Sequence, residues 1–168
     1  MAKNILVVYG SKYGATAGIA EKIGEVLRES GFTVDIKPAV AAGDLIGYDA
    51  VILGSGVYAG GWLKAAADLL KKQEKVLVSI PVWLFSSGPT GEGAPAEMLK
   101  GWQFPEMLKP FADRIKPRGI TLFHGAMDLE KLNFAEKLII KAMKGPLGDF
   151  RNWDVIISWA KSIAASFK

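Results

Sequence analysis

Apolar and polar residues alternate along this chain in blocks whose period changes from two to nearly four. Asn4 to Tyr9 is an unbroken apolar run of strand length, and a strand without polar alternation is one buried on both faces, as in a parallel sheet covered by helices. From Ala15 the period becomes helical: Ile19, Ile23, Val26 and Leu27 share one face, Glu21, Lys22, Glu25, Arg28 and Glu29 the other, and Gly31 stands where a C-cap belongs. Phe32 to Lys37 predicts a second strand, Asp49 to Ser55 a third, and Trp62 to about Leu77 a helix with Leu63, Ala66, Leu70 and Leu77 inward. The segment from Lys75 to Phe85 starts like a strand but contains Pro81, which a central strand cannot hold in mid-ladder. Extending the helix to about Val78 and starting the fourth strand at Pro81 resolves the conflict. Ser86 to Gly101, rich in Gly, Pro, Ser and Thr, predicts a long loop, of the functional or the disordered kind. A short helix near Glu106 to Ile115, bent by Pro110, a fifth strand from Gly119 to Gly125, and helices near Asn133 to Met143 and Asn152 to Phe167 complete the chain.

Five parallel strands with interleaved helices predict an α/β doubly wound sheet in the order 2-1-3-4-5, with helices on both faces. The reversal of winding opens a crevice beside strands 1 and 3. Ligands in such sheets lie beyond the carboxyl ends of the strands at that point, which directs attention to the turns after Tyr9, Ser55 and Phe85.

Composition narrows the chemistry. A length of 168 residues, half of them apolar, is expected to fold as one domain, 1–168. The absence of cysteine excludes a thiolate metal site, a disulfide framework and a cysteine nucleophile, and one histidine excludes an imidazole cluster, so no metal site is expected. The surplus of 21 Lys+Arg over 17 Asp+Glu is small and dispersed, which favours a solvated surface over nucleic-acid binding. The first apolar run is too short to span a bilayer and reads as a strand instead of a signal, so a cytoplasmic location is expected.

The loop after the first strand, Gly10-Ser11-Lys12-Tyr13-Gly14-Ala15-Thr16, combines hydroxyls, a glycine permitting close backbone approach and a helix N-terminus aimed at the crevice. The free N–H groups of the first helical turn, with the hydroxyls of Ser11 and Thr16, suit the terminal oxygens of a phosphate monoester, and Lys12 would add a full charge. Helix capping by the same Ser and Thr is the competing explanation. The Gly-x-x-x-x-Gly-Lys-Ser/Thr and Gly-x-Gly-x-x-Gly spacings are both absent, which excludes the standard nucleotide-hydrolysing and dinucleotide loops. A phospho-acceptor receiver domain shares the strand order but needs magnesium-holding acids after strand 1, where Tyr9 and Gly10 stand.

Ser11-Lys12-Tyr13-Gly14-Ala15-Thr16 resembles the flavodoxin phosphate loop, Ser/Thr-x-x-Gly-x-Thr, at its Ser, Gly and Thr positions. Leu53-Gly54-Ser55-Gly56-Val57-Tyr58-Ala59-Gly60-Gly61-Trp62 resembles the second flavin loop of flavodoxin-domain proteins, and Pro81-Val82-Trp83-Leu84-Phe85-Ser86-Ser87-Gly88-Pro89 their fourth strand and third loop. Gly125-Ala126-Met127-Asp128, the segment Phe150-Arg151-Asn152-Trp153-Asp154 and Trp159-Ala160 resemble the branch that includes the flavodoxin-like protoporphyrinogen oxidases. The resemblance covers nearly the whole chain.

It implies FMN, with its phosphate at Ser11, Lys12, Tyr13, Gly14, Ala15 and Thr16. The isoalloxazine is then expected between Gly56, Val57, Tyr58, Ala59 and Gly60 on one side and Ser86, Ser87, Gly88 and Pro89 on the other. Tyr58 would offer an aromatic face. Trp62 and Trp83 read as packing residues, and no aromatic follows the third loop directly, so the outer ring face is expected to stay open unless Trp102 or Phe104 folds over it. His124 reads as a structural histidine and Asp128 and Glu130 as caps or surface charges. Val155, Ile156, Trp159, Ile163 and Phe167 form an apolar stripe expected to pack on the sheet, with membrane-surface contact as the alternative.

FMN carries the electrons, so no side chain is required as a catalytic acid or base. The implied function is an FMN-binding redox protein, in electron transfer or as a small flavin-dependent oxidoreductase. A protoporphyrinogen oxidase-like enzyme with a quinone acceptor, or a module without flavin, are the alternatives. Its expected partner is a redox protein or a small electron acceptor, quinone or nicotinamide, and a homodimer is compatible with the pattern. A pI near 9.2 favours an acidic partner or an anionic surface.

Overall fold

A computed structural model describes residues 2–143 and 146–168. Strand β1 (Asn4–Gly10) lies at the centre of the sheet between β2 (Thr33–Pro38) and β3 (Ala50–Tyr58), and β3 is followed outward by β5 (Val82–Ser87) and β6 (Gly119–Phe123). All four pairings are parallel, so the five main strands run in the order 2-1-3-4-5 as expected. Two-sided burial is visible residue by residue. Ile5 and Val7 of β1 face a core with Ile19, Ile23 and Leu27 of α1 (Ala15–Glu29) and Ile156, Ala160 and Ile163 of α7 (Trp153–Ala165). Leu6 and Val8 face a second core with Ala66 and Leu70 of α2 (Lys64–Lys72), Leu77 of α3 (Glu74–Val78) and Ala112 and Ile115 of α5 (Lys109–Ile115). Each buried Val, Leu or Ile among these is worth about 1.5–3 kcal/mol relative to exposure. Because α1 and α2 leave β1 and β3 toward opposite faces, the winding reverses between these strands.

Gly31 closes α1 as the pattern requires: its φ is +98°, and Phe32 N donates back to Leu27 O at 3.2 Å. Other boundaries move. Trp62 does not start a helix; with Gly61 it forms β4 (Gly61–Trp62), an antiparallel return onto Val57 and Tyr58. The connecting turn places Ala59 at φ 50° and Gly60 at φ 78°, the two left-handed positions of a tight hairpin turn. The helix then begins at Lys64, leaves Leu63 only half-buried, and breaks at Gln73, whose Oε1 accepts a bond from Leu45 N at 3.3 Å.

The fourth parallel strand, β5, starts just after Pro81, whose carbonyl accepts from Val51 N, and runs on through Ser86 and Ser87, which the pattern assigns to a loop. Both serines pair with β3 and β6 and find partners for their buried hydroxyls, which is why the strand continues. Pro110 starts α5 instead of bending a helix, since a proline in the first turn loses no hydrogen bond. The long loop after β5 holds one short helix, α4 (Pro95–Met98).

β6 ends at Phe123, two residues earlier than expected. There Gly125 lies so close to the turn after β5 that a β-carbon on it would stand 3.0 Å from Gly88 O. Between β6 and α7 the chain makes an excursion: β7 (Ala126–Met127), a 3-10 turn at Leu129–Lys131, α6 (Phe134–Met143) and β8 (Gly148–Asp149), with β7 and β8 antiparallel. Asp128 caps the 3-10 turn through Glu130 N. On α7, Asn152 accepts from Val155 N as the N-cap, while the Val155 side chain is exposed and leaves the expected stripe, its place in the core taken by Ala160 and Ala164. Among the described residues no helix is long and apolar enough to cross a membrane.

Candidate functional site

The first loop delivers a helix N-terminus to the crevice. Gly14 is the N-cap residue at φ 94°, a backbone position that excludes most side chains, and its N–H donates to Ser11 Oγ at 3.0 Å. The first intrahelical bond runs from Gly18 N to Gly14 O at 3.1 Å. The N–H groups of Ala15, Thr16 and Ala17 have no acceptor among the described residues. Ser11 therefore does cap, but it satisfies the N–H before the helix and leaves the helix's own donors open.

The second and third loops close on this terminus. Thr16 is buried, and its Oγ1 lies 2.8 Å from Ser87 Oγ, joining loop one to the end of β5. A β-carbon on Gly56 would stand 3.1 Å from that same Thr16 oxygen and 2.9 Å from the Tyr58 ring, so only glycine leaves this cradle open. Tyr58 is half-buried; its hydroxyl accepts from Lys12 N at 3.3 Å, and its ring meets Tyr13 edge to face with centroids 6.3 Å apart. Burial raises its pKa, so the phenol stays neutral.

Together these elements enclose a cavity of about 640 Å3. Of the residues read from the sequence, it is lined by Lys12, Tyr13, Ala15, Thr16, Gly56, Val57, Tyr58, Ala59, Ser87 and Gly88. Gly14 lines a smaller pocket beside it. Ser11, Gly60, Ser86 and Pro89 do not line the cavity. Ser86 points to the other face of the sheet, where its Oγ accepts from Trp62 Nε1 at 2.8 Å, and Pro89 O accepts from Gly125 N. His124 is half-buried beside these loops, and its Nε2 has no partner among the described residues.

The outer wall comes from residues that sequence reasoning did not find. Gly125, Ala126, Met127, Leu132, Glu136 and Ile139 of the excursion complete the cavity. Neither Trp102 nor Phe104 lines it, and Phe104 packs edge-on against Trp62 with centroids 5.2 Å apart. The readable signal was Asn133-x-x-Glu136, a capping-box spacing: Glu136 N donates to Asn133 Oδ1 at 2.8 Å and Asn133 N to Glu136 Oε1 at 3.2 Å. Nothing local says where that helix docks.

Docking takes the charge expected for a phosphate. Lys12 Nζ lies 2.6 Å from Glu136 Oε2 and 5.2 Å above the Tyr13 ring, so this lysine ties the first loop to α6. The hydrogen bond from Lys12, then that from Asn133 N, holds the Glu136 carboxyl below the usual carboxylate range. A carboxyl depressed in the folded state stabilises above its unfolded pKa and loses that contribution as pH falls through the folded value. Amide protection factors across Phe134–Met143, corrected for the intrinsic pH dependence of exchange, are therefore expected to fall as pH drops below the ordinary carboxylate range. In Glu136→Gln the protection should already be reduced at neutral pH and lack this acid step; a wild-type profile in that variant would show that the pair does not hold the helix.

Comparison with known proteins agrees with this fold. The model of the flavodoxin domain matches residues 6–152. A curated relative, NAD(P)H dehydrogenase (quinone) from Rhodopseudomonas palustris (strain BisB5), is 34% identical over 92 residues, covering 42% of this chain and 46% of the relative. The match thus spans less than half of that protein's length. Among solved structures, the flavodoxin of Streptococcus pneumonia TIGR4 superposes with a TM-score of 0.59 at 16% identity, over 97% of this chain and 99% of that one. A flavodoxin mutant of Fusobacterium nucleatum bound to flavin mononucleotide gives 0.50 at 20% identity, over 73% and 68%. The sheet order, the reversal between β1 and β3 and a domain match reaching from Leu6 to Asn152 lead to one conclusion: this chain belongs to the flavodoxin-domain family.

Proposed function

We propose that this chain binds FMN in the cavity between its three loops and works as a small oxidoreductase that passes electrons to a quinone-type acceptor. The observation that carries the reading is the open first turn of α1: the N–H groups of Ala15, Thr16 and Ala17 have no acceptor among the described residues, and Ala15 and Thr16 line a cavity of about 640 Å3. That volume is within the usual range for small-molecule sites, about 300–1,000 Å3. The donors suit a phosphate monoester, and the buried Tyr13 hydroxyl, which has no partner among the described residues, adds another. The walls at Val57, Tyr58, Met127, Leu132 and Ile139 suit an aromatic ring system.

Bound FMN supplies a ring that accepts and returns electrons as one- or two-electron steps. The chain binds its phosphate through the helix terminus, excludes water with the wall from α6, and keeps Tyr58 as a neutral phenol beside the ring site. An apolar acceptor matches the aliphatic outer wall, and the quinone-reducing relative supports the same class.

The test is titration of purified protein with FMN, followed by flavin fluorescence, and then oxidation of the reduced holoprotein by a soluble quinone. Stoichiometric quenching is expected, with reoxidation by quinone faster than that of free reduced FMN. Failure to bind FMN would remove the reading; tight binding with quinone rates no better than free flavin would remove its acceptor.

A further inference from the structure

Beside the main cavity, Tyr13, Gly14 and Ala15 also border a pocket of about 70 Å3, whose far side is built by Asp128, Lys131 and Arg151 of the excursion. Arg151 is held from several directions. Its Nε and Nη2 grip the Asp149 carboxylate at 2.9 and 2.6 Å, its Nη1 donates to Ala15 O at 3.1 Å, and its guanidinium stacks 4.7 Å from the Trp153 ring. A guanidinium has five N–H donors, so two are left over. Gly18 makes room for it: a β-carbon there would stand 2.6 Å from Nη1. Lys131 is differently placed. Its Nζ makes one long bond, 3.4 Å to Tyr13 O, and has no carboxylate within ion-pairing distance among the described residues.

The first loop's own lysine is spent on Glu136, and Arg151 is matched by Asp149. Asp128 already accepts from Glu130 N. What remains is a pocket bordered by the open start of α1, by Lys131 and by Arg151 with two unassigned guanidinium N–H groups, against the single carboxylate of Asp128: a net cationic donor set for a compact anion.

We propose that Lys131 and Arg151 complete the site for the FMN phosphate, so that the excursion between β6 and α7, and not the first loop alone, sets a preference for FMN over riboflavin. The inference rests on the FMN reading above. It makes Lys131 a specificity determinant and Arg151 a positioning residue that also donates.

Titration of the wild-type apoprotein, Lys131→Gln and Gly18→Ala with FMN and with riboflavin, read by fluorescence quenching, tests it. Lys131→Gln removes a charge-assisted bond at an exposed side chain and should weaken FMN about tenfold. Gly18→Ala favours the helix yet displaces the guanidinium, and should weaken FMN several-fold; a thermal melt checks that it folds. Riboflavin affinity should stay unchanged in both variants, and high salt should shrink the wild-type preference. Equal losses for the two flavins would make the pair structural and overturn the proposal, as would unchanged FMN affinity in Lys131→Gln. A wild type that binds riboflavin and FMN equally overturns it while leaving the flavin reading intact; one that binds neither overturns both.

Discussion

Gly54→Ala is expected to cost about 3 kcal/mol of stability or more, the upper end of overpacking in a close-packed core. Gly54 lies in β3 between Tyr9 of β1 and Phe85 of β5. A β-carbon on it would overlap the Phe85 ring atoms Cζ, Cε1 and Cε2 together, so a single rotation does not relieve the clash. The ring has nowhere to go: Phe85 is fully buried and packed against Phe123 and Trp159 with centroids 5.8 and 6.1 Å away. A protein with a total stability of about 5–15 kcal/mol loses a large part of it in one methyl group. Urea unfolding measures the effect, and Gly54→Ala/Phe85→Leu should recover part of the loss, because the two sites are in contact and their effects are not additive. A Gly54→Ala midpoint equal to that of the wild type would show that the strands separate freely here.

Ser11→Ala/Thr16→Ala is expected to weaken FMN binding by about ten- to a hundredfold, since the one hydrogen bond that Thr16 would give a charged group is worth about 1.5–3 kcal/mol and Ser11 acts through the loop. The structure refines how. Ser11 Oγ holds Gly14 N and so shapes the loop, while Thr16 Oγ1 sits between the open helix turn and Ser87 Oγ. Thr16→Ala also leaves the Ser87 hydroxyl without this partner, which lowers stability independently of ligand. Ser87→Ala separates the two effects: it breaks the same pair but keeps the threonine hydroxyl for the phosphate. Unchanged FMN affinity in the double variant refutes the phosphate assignment, and an equal loss in Ser87→Ala assigns the effect to loop stability.

Periodicity located every main strand and nearly every helix, because an apolar run and an amphipathic turn are local properties. It was least accurate where a distant partner decides the boundary. Trp62 carries a helix-like pattern forward to Leu70, yet the left-handed pair Ala59 and Gly60 turns it back onto β3, where its indole reaches Ser86. Ser86 and Ser87 look like loop residues by composition and are strand residues because Trp62 and Thr16 satisfy them. The candidate site was half legible. Loops one to three follow from strand order, whereas the outer wall belongs to a helix that sequence places anywhere.

The first apolar run, the capped helix after it and the reversal of winding between β1 and β3 were determined by residues near one another in the chain, through side-chain period and the handedness of crossovers. Those constraints suffice to bring Lys12, Tyr13, Thr16, Gly56, Tyr58 and Ser87 to one crevice. The fate of individual charges and hydroxyls needed the folded chain. Thr16 meets Ser87 across 71 positions, and Lys12 meets Glu136 across 124. Contacts at that separation leave no local pattern, since loop closure over such lengths depends on the packing of every element between them. The structure pairs Lys12 with Glu136 instead of leaving it free, and lines with Met127, Leu132 and Ile139 a side of the cavity that the sequence had left open.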